Sequence, residues 1–141
     1  MFNNLKYPIL NEDSKESVLR NAYLYACHKD IEAIKPGNVN INSPHHDTTA
    51  SDYLISSINS GSQLFHKEYS LGDRIFKSVI ATRNETLTNT NLGIIMLCAP
   101  IIHALIEYKG LDLREAIIKT IDDATPSDTV KICKAINISN P

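Results

Sequence analysis

The longest apolar segment of the chain lies within Leu92-Gly93-Ile94-Ile95-Met96-Leu97-Cys98-Ala99-Pro100-Ile101-Ile102-His103-Ala104-Leu105-Ile106-Glu107-Tyr108. This segment is apolar nearly all round, so a helix formed by it needs neighbours on every side. It is shorter than the roughly 20 apolar residues that span a bilayer, and Pro100 and His103 interrupt it. We therefore predict a buried helix at the centre of the fold, kinked or loosened at Pro100.

The flanking sequence predicts five further helices. Ser14 is an expected N-cap for the first, which runs from about Lys15 to Ile34 and is stopped by Pro36 and Gly37. Two more begin near Ser51 and Leu71, and Asp112 and Ser127 are expected to cap the last two. The expected inward residues of these four helices are, in order, Tyr53, Leu54, Ile58 and Leu64; Ile75, Phe76, Val79 and Ile80; Leu113, Ala116, Ile117 and Ile121; and Val130, Cys133 and Ile136. No alternating run indicates a strand. The predicted fold class is all-α, with about six helices packed around Leu92–Tyr108 in a single domain spanning residues 1–141.

The last residues, Asn137-Ile138-Ser139-Asn140-Pro141, are more typical of a loop entry than of a polar tail. We therefore expect the chain to be the N-terminal part of a larger helical fold. A missing half would leave apolar surface exposed, so association into a homo-oligomer is one expected outcome.

Composition excludes several classes of function. The chain has 14 basic and 16 acidic residues, a formal net charge of −2, which argues against broad nucleic-acid binding. Cys27, Cys98 and Cys133 are odd in number and widely spaced, so they predict neither a disulfide framework nor a metal motif. They are expected to be small buried residues in a reducing cytoplasm. Met1–Leu10 has no secretory signal pattern, and no membrane partner is expected.

The first candidate site is the turn Glu32-Ala33-Ile34-Lys35-Pro36-Gly37-Asn38-Val39. Gly37 permits close backbone approach to a ligand, and Lys35 can bring positive charge to a phosphate. The alternative is an ordinary helix stop, in which proline and glycine follow the helix and lysine favours its C-terminus. Both interpretations remain open at the level of the sequence.

The second candidate site is the turn Thr88-Asn89-Thr90-Asn91-Leu92-Gly93, which precedes the apolar helix. The first N–H groups of a helix are unpaired and lie at the positive end of its dipole, so they attract anions. Gly93 in the first turn would keep that end open. The alternative is helix capping by Asn89, Thr90 or Asn91.

The remaining polar candidates are His45-His46-Asp47, Arg74 and Arg83. A zinc site at the two histidines lacks an evident third or fourth ligand with defined spacing. Asp47 is a candidate for holding a magnesium-bound phosphate or a substrate hydroxyl, with a solvated loop as the alternative. Arg74 and Arg83 are candidate phosphate ligands, with surface arginines as the alternative.

The ordered set of these motifs resembles the triphosphoribosyl-dephospho-CoA synthase family. The resemblance runs from about Ala26 to the C-terminus and rests on Glu32 to Val39, His46-Asp47, Ser51-Asp52-Tyr53-Leu54, Ser70-Leu71-Gly72-Asp73-Arg74-Ile75, and Asn89-Thr90-Asn91-Leu92-Gly93 with the Pro100 helix. It implies an all-helical enzyme that takes ATP and 3′-dephospho-CoA. Such an enzyme releases adenine and joins the triphosphoribosyl group to the acceptor.

Two features depart from the family pattern. Well-characterised members have Asn-Thr-His-Lys-Gly where this chain has Asn89-Thr90-Asn91-Leu92-Gly93, which indicates a divergent branch lacking a histidine and a lysine. Family chains are also considerably longer, so this chain alone is expected to lack part of the site and activity.

The implied reaction assigns roles to the motif residues. Glycosyl transfer through an oxocarbenium-like state needs a carboxylate, for which Glu32 and Asp47 are the candidates. The triphosphate needs Mg²⁺ and cationic or N–H groups. Asp47 is the expected metal ligand, and the expected substrate and phosphate ligands are Lys35, Gly37, Asn38, Arg74, Asn89, Thr90, Asn91 and Gly93. Two alternatives remain: a non-catalytic helical nucleotide-binding or assembly module, and a phosphotransferase acting on another cofactor precursor.

Overall fold

The computed structural model describes residues 14–35, 39–40, 48–86 and 89–140. It contains six helices: α1 (Lys15–Glu32), α2 (Ala50–Leu64), α3 (Leu71–Arg83), α4 (Leu92–Glu107), α5 (Leu113–Asp122) and α6 (Pro126–Ser139). No strand occurs in these ranges, so the predicted all-α class and the number of helices are confirmed. None of these helices combines the length and the apolar character needed to cross a membrane.

Side-chain caps explain where several helices begin. The predicted cap Ser14 accepts a hydrogen bond from the backbone N–H of the third residue along α1, at 3.1 Å. The prediction that Ser127 caps α6 was wrong, because Thr125 caps this helix and forms a reciprocal capping box with Asp128. Pro126 occupies the first helical position, where its fixed φ angle suits a helix and its missing N–H costs nothing.

Helices α3 and α4 share the centre of the bundle. Helix α3 packs on α2, α4 and α6, whereas α4 contacts α1, α2, α3 and α5. The central position predicted for α4 therefore holds. However, the expectation that α4 has neighbours on every side was wrong, because Leu97 remains 70% exposed.

The inward face of α2 differs from the prediction. Ile58 is exposed, while the buried positions are mostly small: Ala50, Ser56, Ser57, Ser60, Gly61 and Leu64. The serine hydroxyls are satisfied locally; for example, Ser60 Oγ donates to the Ser56 carbonyl at 2.7 Å. Small side chains whose hydroxyls are hydrogen-bonded within the helix let neighbouring helices approach closely. They therefore face inward, where the spacing of apolar residues had predicted Ile58.

The inward faces of α5 and α6 were also predicted incorrectly in part. Helix α5 buries Ala116 and Thr120, and α6 buries Asp128, Ala135 and Ser139. The positions expected to be buried but found exposed are Leu113, Ile121, Val130, Cys133 and Ile136. Both helices carry apolar residues on more than one side, so periodicity alone did not determine the packed side.

The close packing of α3 on α6 depends on a glycine. The backbone N–H of Gly72 donates to Asp128 Oδ1 at 2.8 Å, so the Asp128 carboxylate caps α3 as well as its own helix. Nearby, Lys131 Nζ lies 2.7 Å from Asp73 Oδ2. A Cβ added at Gly72 would lie 2.5 Å from the Asp128 Cα, so no larger residue fits there without a backbone shift.

Because of the Asp128 carboxylate, we expect the fold to lose stability when the pH is lowered into the acid range. Burial alone would raise the pKa of Asp128, but the hydroxyls of Ser70 and Thr125 and the backbone N–H groups of Thr125 and Gly72 hold it well below the ordinary 3.8. A carboxyl with a lowered folded-state pKa contributes stability above its unfolded pKa and loses that contribution as the pH falls.

We therefore expect the free energy of unfolding to decline as the pH falls below about 4. Asp128→Asn should show lower stability at pH 7 and a shallower decline between pH 5 and pH 2.5, as measured by urea denaturation at each pH. Equal slopes for the two proteins would contradict the role given to Asp128.

Candidate functional site

The described residues at the end of α1, Glu32 and Lys35, and those at the start of α4, residues 89–93, lie towards the same end of the bundle, beside the N-terminal half of α2. The Tyr23 hydroxyl of α1 is 2.8 Å from Ser60 Oγ of α2. Asp30, seven residues after Tyr23, acts on the pKa of Tyr53, which lies seven residues before Ser60. Helices α1 and α2 are therefore antiparallel, and α1 ends where α2 begins. Ser56, three residues after Tyr53, reaches the second turn through Thr90.

We call this region the turn end of the bundle. It consists of the C-terminal residues of α1 and α3, the N-terminal half of α2, and the residues around the start of α4. Among the residues predicted to form the site, the described ones that lie at this end are Glu32, Lys35, Asn89, Thr90, Asn91 and Gly93.

Asn91 is buried where α2, α3 and the start of α4 come together, and its side chain bonds to α2 and α3. Its Nδ2 donates to the Ser56 carbonyl and to Ser60 Oγ, both at 3.1 Å, and its Oδ1 accepts from Thr82 Oγ1 at 3.2 Å. Thr90 is buried beside it, with its hydroxyl 2.5 Å from Ser56 Oγ. Asn91 uses both amide hydrogens inside the protein, so its side chain positions the turn rather than presenting a free group.

The start of α4 exposes backbone donors. The Asn91 side chain makes no capping bond to the helix, and the nearby Asn89 Oδ1 accepts only a 3.3 Å hydrogen bond from the Leu92 N–H. The next two N–H groups, of Gly93 and Ile94, have no acceptor among the described residues. A Cβ added at Gly93 would meet nothing within 4 Å, so the backbone there is open to a ligand.

Glu32 lies on the surface at the end of α1, between two basic neighbours. Its carboxylate contacts Lys29 Nζ at 2.5 Å and His28 Nε2 at 2.9 Å. The hydrogen bond from Lys29 is the main reason that its pKa is lowered, and His28 acts in the same direction. Glu32 therefore stays ionised at neutral pH and is a weak proton acceptor.

Lys35 lies close to the carboxylate of Asp30, whose charge also acts on Tyr53. Its Nζ contacts Asp30 Oδ1 at 2.5 Å, and both side chains remain partly exposed. Tyr53 of α2 is near Asp30; its pKa is raised mainly by burial and further by the charge of Asp30. The Tyr53 phenol therefore keeps its proton and can act as a hydrogen-bond donor here.

Arg74 is not brought to the turn end. It is fully buried near the start of α3, at the opposite end of the bundle, where its guanidinium donates to the carbonyls of Leu64 and Tyr69. It is thus neither a surface arginine nor grouped with Lys35, and its contacts are those of a residue that stabilises the α2–α3 connection. Arg83, by contrast, is the last residue of α3 and lies at the turn end.

The remaining predicted site residues, Gly37, Asn38 and Asp47, lie outside the described residues. In the part of the chain that the structure does describe, no group of three or more His, Cys, Asp or Glu side chains is arranged to hold a metal ion. A cavity of about 450 Å³ lies away from the turn end, with Phe65, Lys67 and Glu107 among its lining residues. It includes none of the predicted site residues.

Sequence reasoning missed two contributions to this end of the bundle. Tyr53 was expected to face the core, yet it lies near Asp30; its place in a polar motif was the signal available. The sequence gives no indication of the residues that hold Asn91, which are Ser56, Ser60 and Thr82. Serine and threonine occur inside many helices without a functional role.

One protein-family model matches the chain over residues 16–141: CitG, described as ATP:dephospho-CoA triphosphoribosyl transferase. The matched range contains both candidate turns, α2 to α6 and nearly all of α1. Searches of curated proteins and of solved structures gave no match.

Proposed function

Because the chain belongs to the CitG family of ATP:dephospho-CoA triphosphoribosyl transferases, we propose that it transfers the triphosphoribosyl group of ATP to 3′-dephospho-CoA and releases adenine. The family match over residues 16–141 is the observation that carries this proposal. The position of Glu32, Lys35 and the start of α4 at the same end of the bundle supports it, since the reaction needs a carboxylate and phosphate ligands in one place.

The reaction exchanges one bond to ribose C1′ for another. The glycosidic bond to adenine breaks, and a bond forms between C1′ and a hydroxyl oxygen of the acceptor. The hydroxyl proton must be taken up, and the departing adenine must gain a proton. Positive charge develops on the ribose during the exchange, so an ionised carboxylate nearby stabilises the transition state.

The electrostatics at the turn end suggest a division of roles. Glu32, ionised and with a lowered pKa, suits stabilisation of the developing cation better than uptake of a proton. Tyr53, whose raised pKa keeps the phenol protonated but makes it a weaker acid, suits donation of a hydrogen bond to a phosphate oxygen rather than of a proton to the departing base. Asp47 remains our proposed proton acceptor and metal ligand, on the basis of the sequence motif.

Phosphate binding is proposed at Lys35 and at the start of α4. The Lys35–Asp30 pair is partly exposed, and exposed ion pairs contribute only about 0–1 kcal/mol, so a triphosphate with several negative charges can compete for Lys35. The open N–H groups of Gly93 and Ile94 add donors at the positive end of a helix dipole. Mg²⁺ is proposed to enter with ATP as part of the substrate.

The first test is calorimetric titration of the chain with ATP, with and without Mg²⁺. We expect Mg²⁺-dependent binding that is weakened about tenfold in Lys35→Ala, equivalent to about 1.4 kcal/mol. The matched control is Lys109→Ala, which removes the same charge from an exposed position in the α4–α5 turn. Equal loss of affinity in both variants would place the nucleotide elsewhere.

An assay for free adenine then separates the possible activities. Adenine release that depends on 3′-dephospho-CoA supports the transferase. Phosphate transfer without adenine release would support a phosphotransferase, and ATP binding without turnover would support a non-catalytic module. The cytoplasmic location remains a prediction.

A further inference from the structure

Helix α5 has an apolar outer face that no described residue covers. Its inner side, with Ala116 and Thr120, is buried, and α4 is the helix it packs against. On its outer side, Ile118 and Ile121 are exposed, and so is Leu111, two residues before the helix begins. Isolated exposed apolar residues are ordinary, but Ile118 and Ile121 are three residues apart and therefore neighbours on the surface of one short helix, which indicates a small contact surface.

Two opposite charges flank the centre of this face. Arg114 lies four residues before Ile118 and Asp122 lies four residues after it, so the three side chains are stacked along one line of the helix. Neither Arg114 nor Asp122 forms an ion pair with another described residue. Asp123, next in the chain, is already held by Lys119 at 2.9 Å and by the Tyr108 hydroxyl at 2.6 Å.

This arrangement is complementary to itself. If two α5 helices lie antiparallel with their Ile118 side chains at a two-fold axis, Arg114 of each copy falls opposite Asp122 of the other. A two-fold interface requires this kind of self-complementarity, because the same patch must serve on both subunits. We propose that the outer face of α5 binds the outer face of α5 in a second copy of this chain.

The contact area sets the expected strength. Helix α5 has 10 residues, so it is about 15 Å long and offers a small interface. The apolar residues supply most of the affinity, while the two exposed ion pairs contribute little energy and mainly fix the antiparallel orientation. An interface of this size lies at or below the lower end of the range for specific complexes, so a weak, reversible dimer is expected.

Sedimentation velocity of the chain from about 1 to 300 μM tests the association. We expect a monomer–dimer equilibrium that Ile118→Asp weakens at least tenfold. The matched control is Val130→Asp on α6, because the exposed fraction of Val130 is 53% and that of Ile118 is 52%. A monomeric wild type over this range, or equal effects of the two variants, would overturn the proposal.

A charge exchange tests the orientation independently of folding. Arg114→Asp and Asp122→Arg should each dimerise more weakly than the wild type at low salt, because like charges then face each other. Mixed in equal amounts, the two variants should form a heterodimer in which both ion pairs are restored. Circular dichroism confirms that each variant is folded, and failure of the mixture to associate would rule out the antiparallel α5 contact.

Discussion

Gly72→Ala is expected to lower the free energy of unfolding by about 3 kcal/mol. A methyl group at this position would lie 2.5 Å from the Cα and 2.8 Å from the carbonyl oxygen of Asp128. Both are backbone atoms, so relief requires α3 and α6 to move apart, and overpacking of this kind costs about 1–3 kcal/mol. The movement would also weaken the hydrogen bond from the Gly72 N–H to Asp128, which adds about 1 kcal/mol.

Urea denaturation followed by circular dichroism measures this loss, with Gly93→Ala as the matched control. Gly93, like Gly72, is the second residue of its helix, yet a Cβ there meets nothing within 4 Å. Gly93→Ala should therefore stabilise the protein by about 0.5–1 kcal/mol, because alanine loses less backbone entropy in a helix. If Gly72→Ala were stabilised as well, α3 and α6 would not be in such close contact.

Asn91→Ala is expected to lower the free energy of unfolding by about 2–4 kcal/mol. The substitution removes three hydrogen bonds at a buried site and leaves the Thr82 hydroxyl without its acceptor. An unsatisfied buried polar group costs about 1–3 kcal/mol in addition to the lost bonds. Since Asn91 joins α2, α3 and the start of α4, nucleotide affinity should fall as well, even at temperatures where the variant is folded.

Two further variants test whether the loss of stability comes from the hydrogen bonds of the Asn91 amide. Asn89→Ala removes only the 3.3 Å hydrogen bond to the Leu92 N–H, so its cost should not exceed about 1 kcal/mol. Asn91→Asp keeps the shape but replaces the two amide hydrogens that Asn91 donates to α2, so it should be no more stable than Asn91→Ala. If Asn91→Asp had the same free energy of unfolding as the wild type, the Asn91 amide would not be the group that holds α2 to the start of α4.

Much of the fold could be predicted from the sequence because helix boundaries depend on local signals. Ser14 and Asp112 cap their helices as expected, and the apolar segment forms α4. The packed faces could not be predicted in the same way. On α2, serine and glycine face inward, because their small size suits a close approach and their hydroxyls find partners inside the helix bundle.

The candidate site stays a prediction. The structure adds that Glu32 and Lys35 lie towards the same end of the bundle as residues 89–93, because α1 and α2 run antiparallel. Arg74 could not be assigned correctly, because an arginine beside an aspartate at a helix start gives no indication that its guanidinium will be buried against the carbonyls of Leu64 and Tyr69. That information resides in the α2–α3 connection, which only the three-dimensional packing reveals.

Asp128 gives the bundle an unusual form of cooperativity. One carboxylate closes the beginning of α6 through the Thr125 N–H and the beginning of α3 through the Gly72 N–H. Unwinding of α6 from its first turn would therefore leave a donor at the start of α3 without its acceptor. Helices α3 and α6 are consequently expected to open as one unit, so the resistance of α3 to local opening depends on α6 as well.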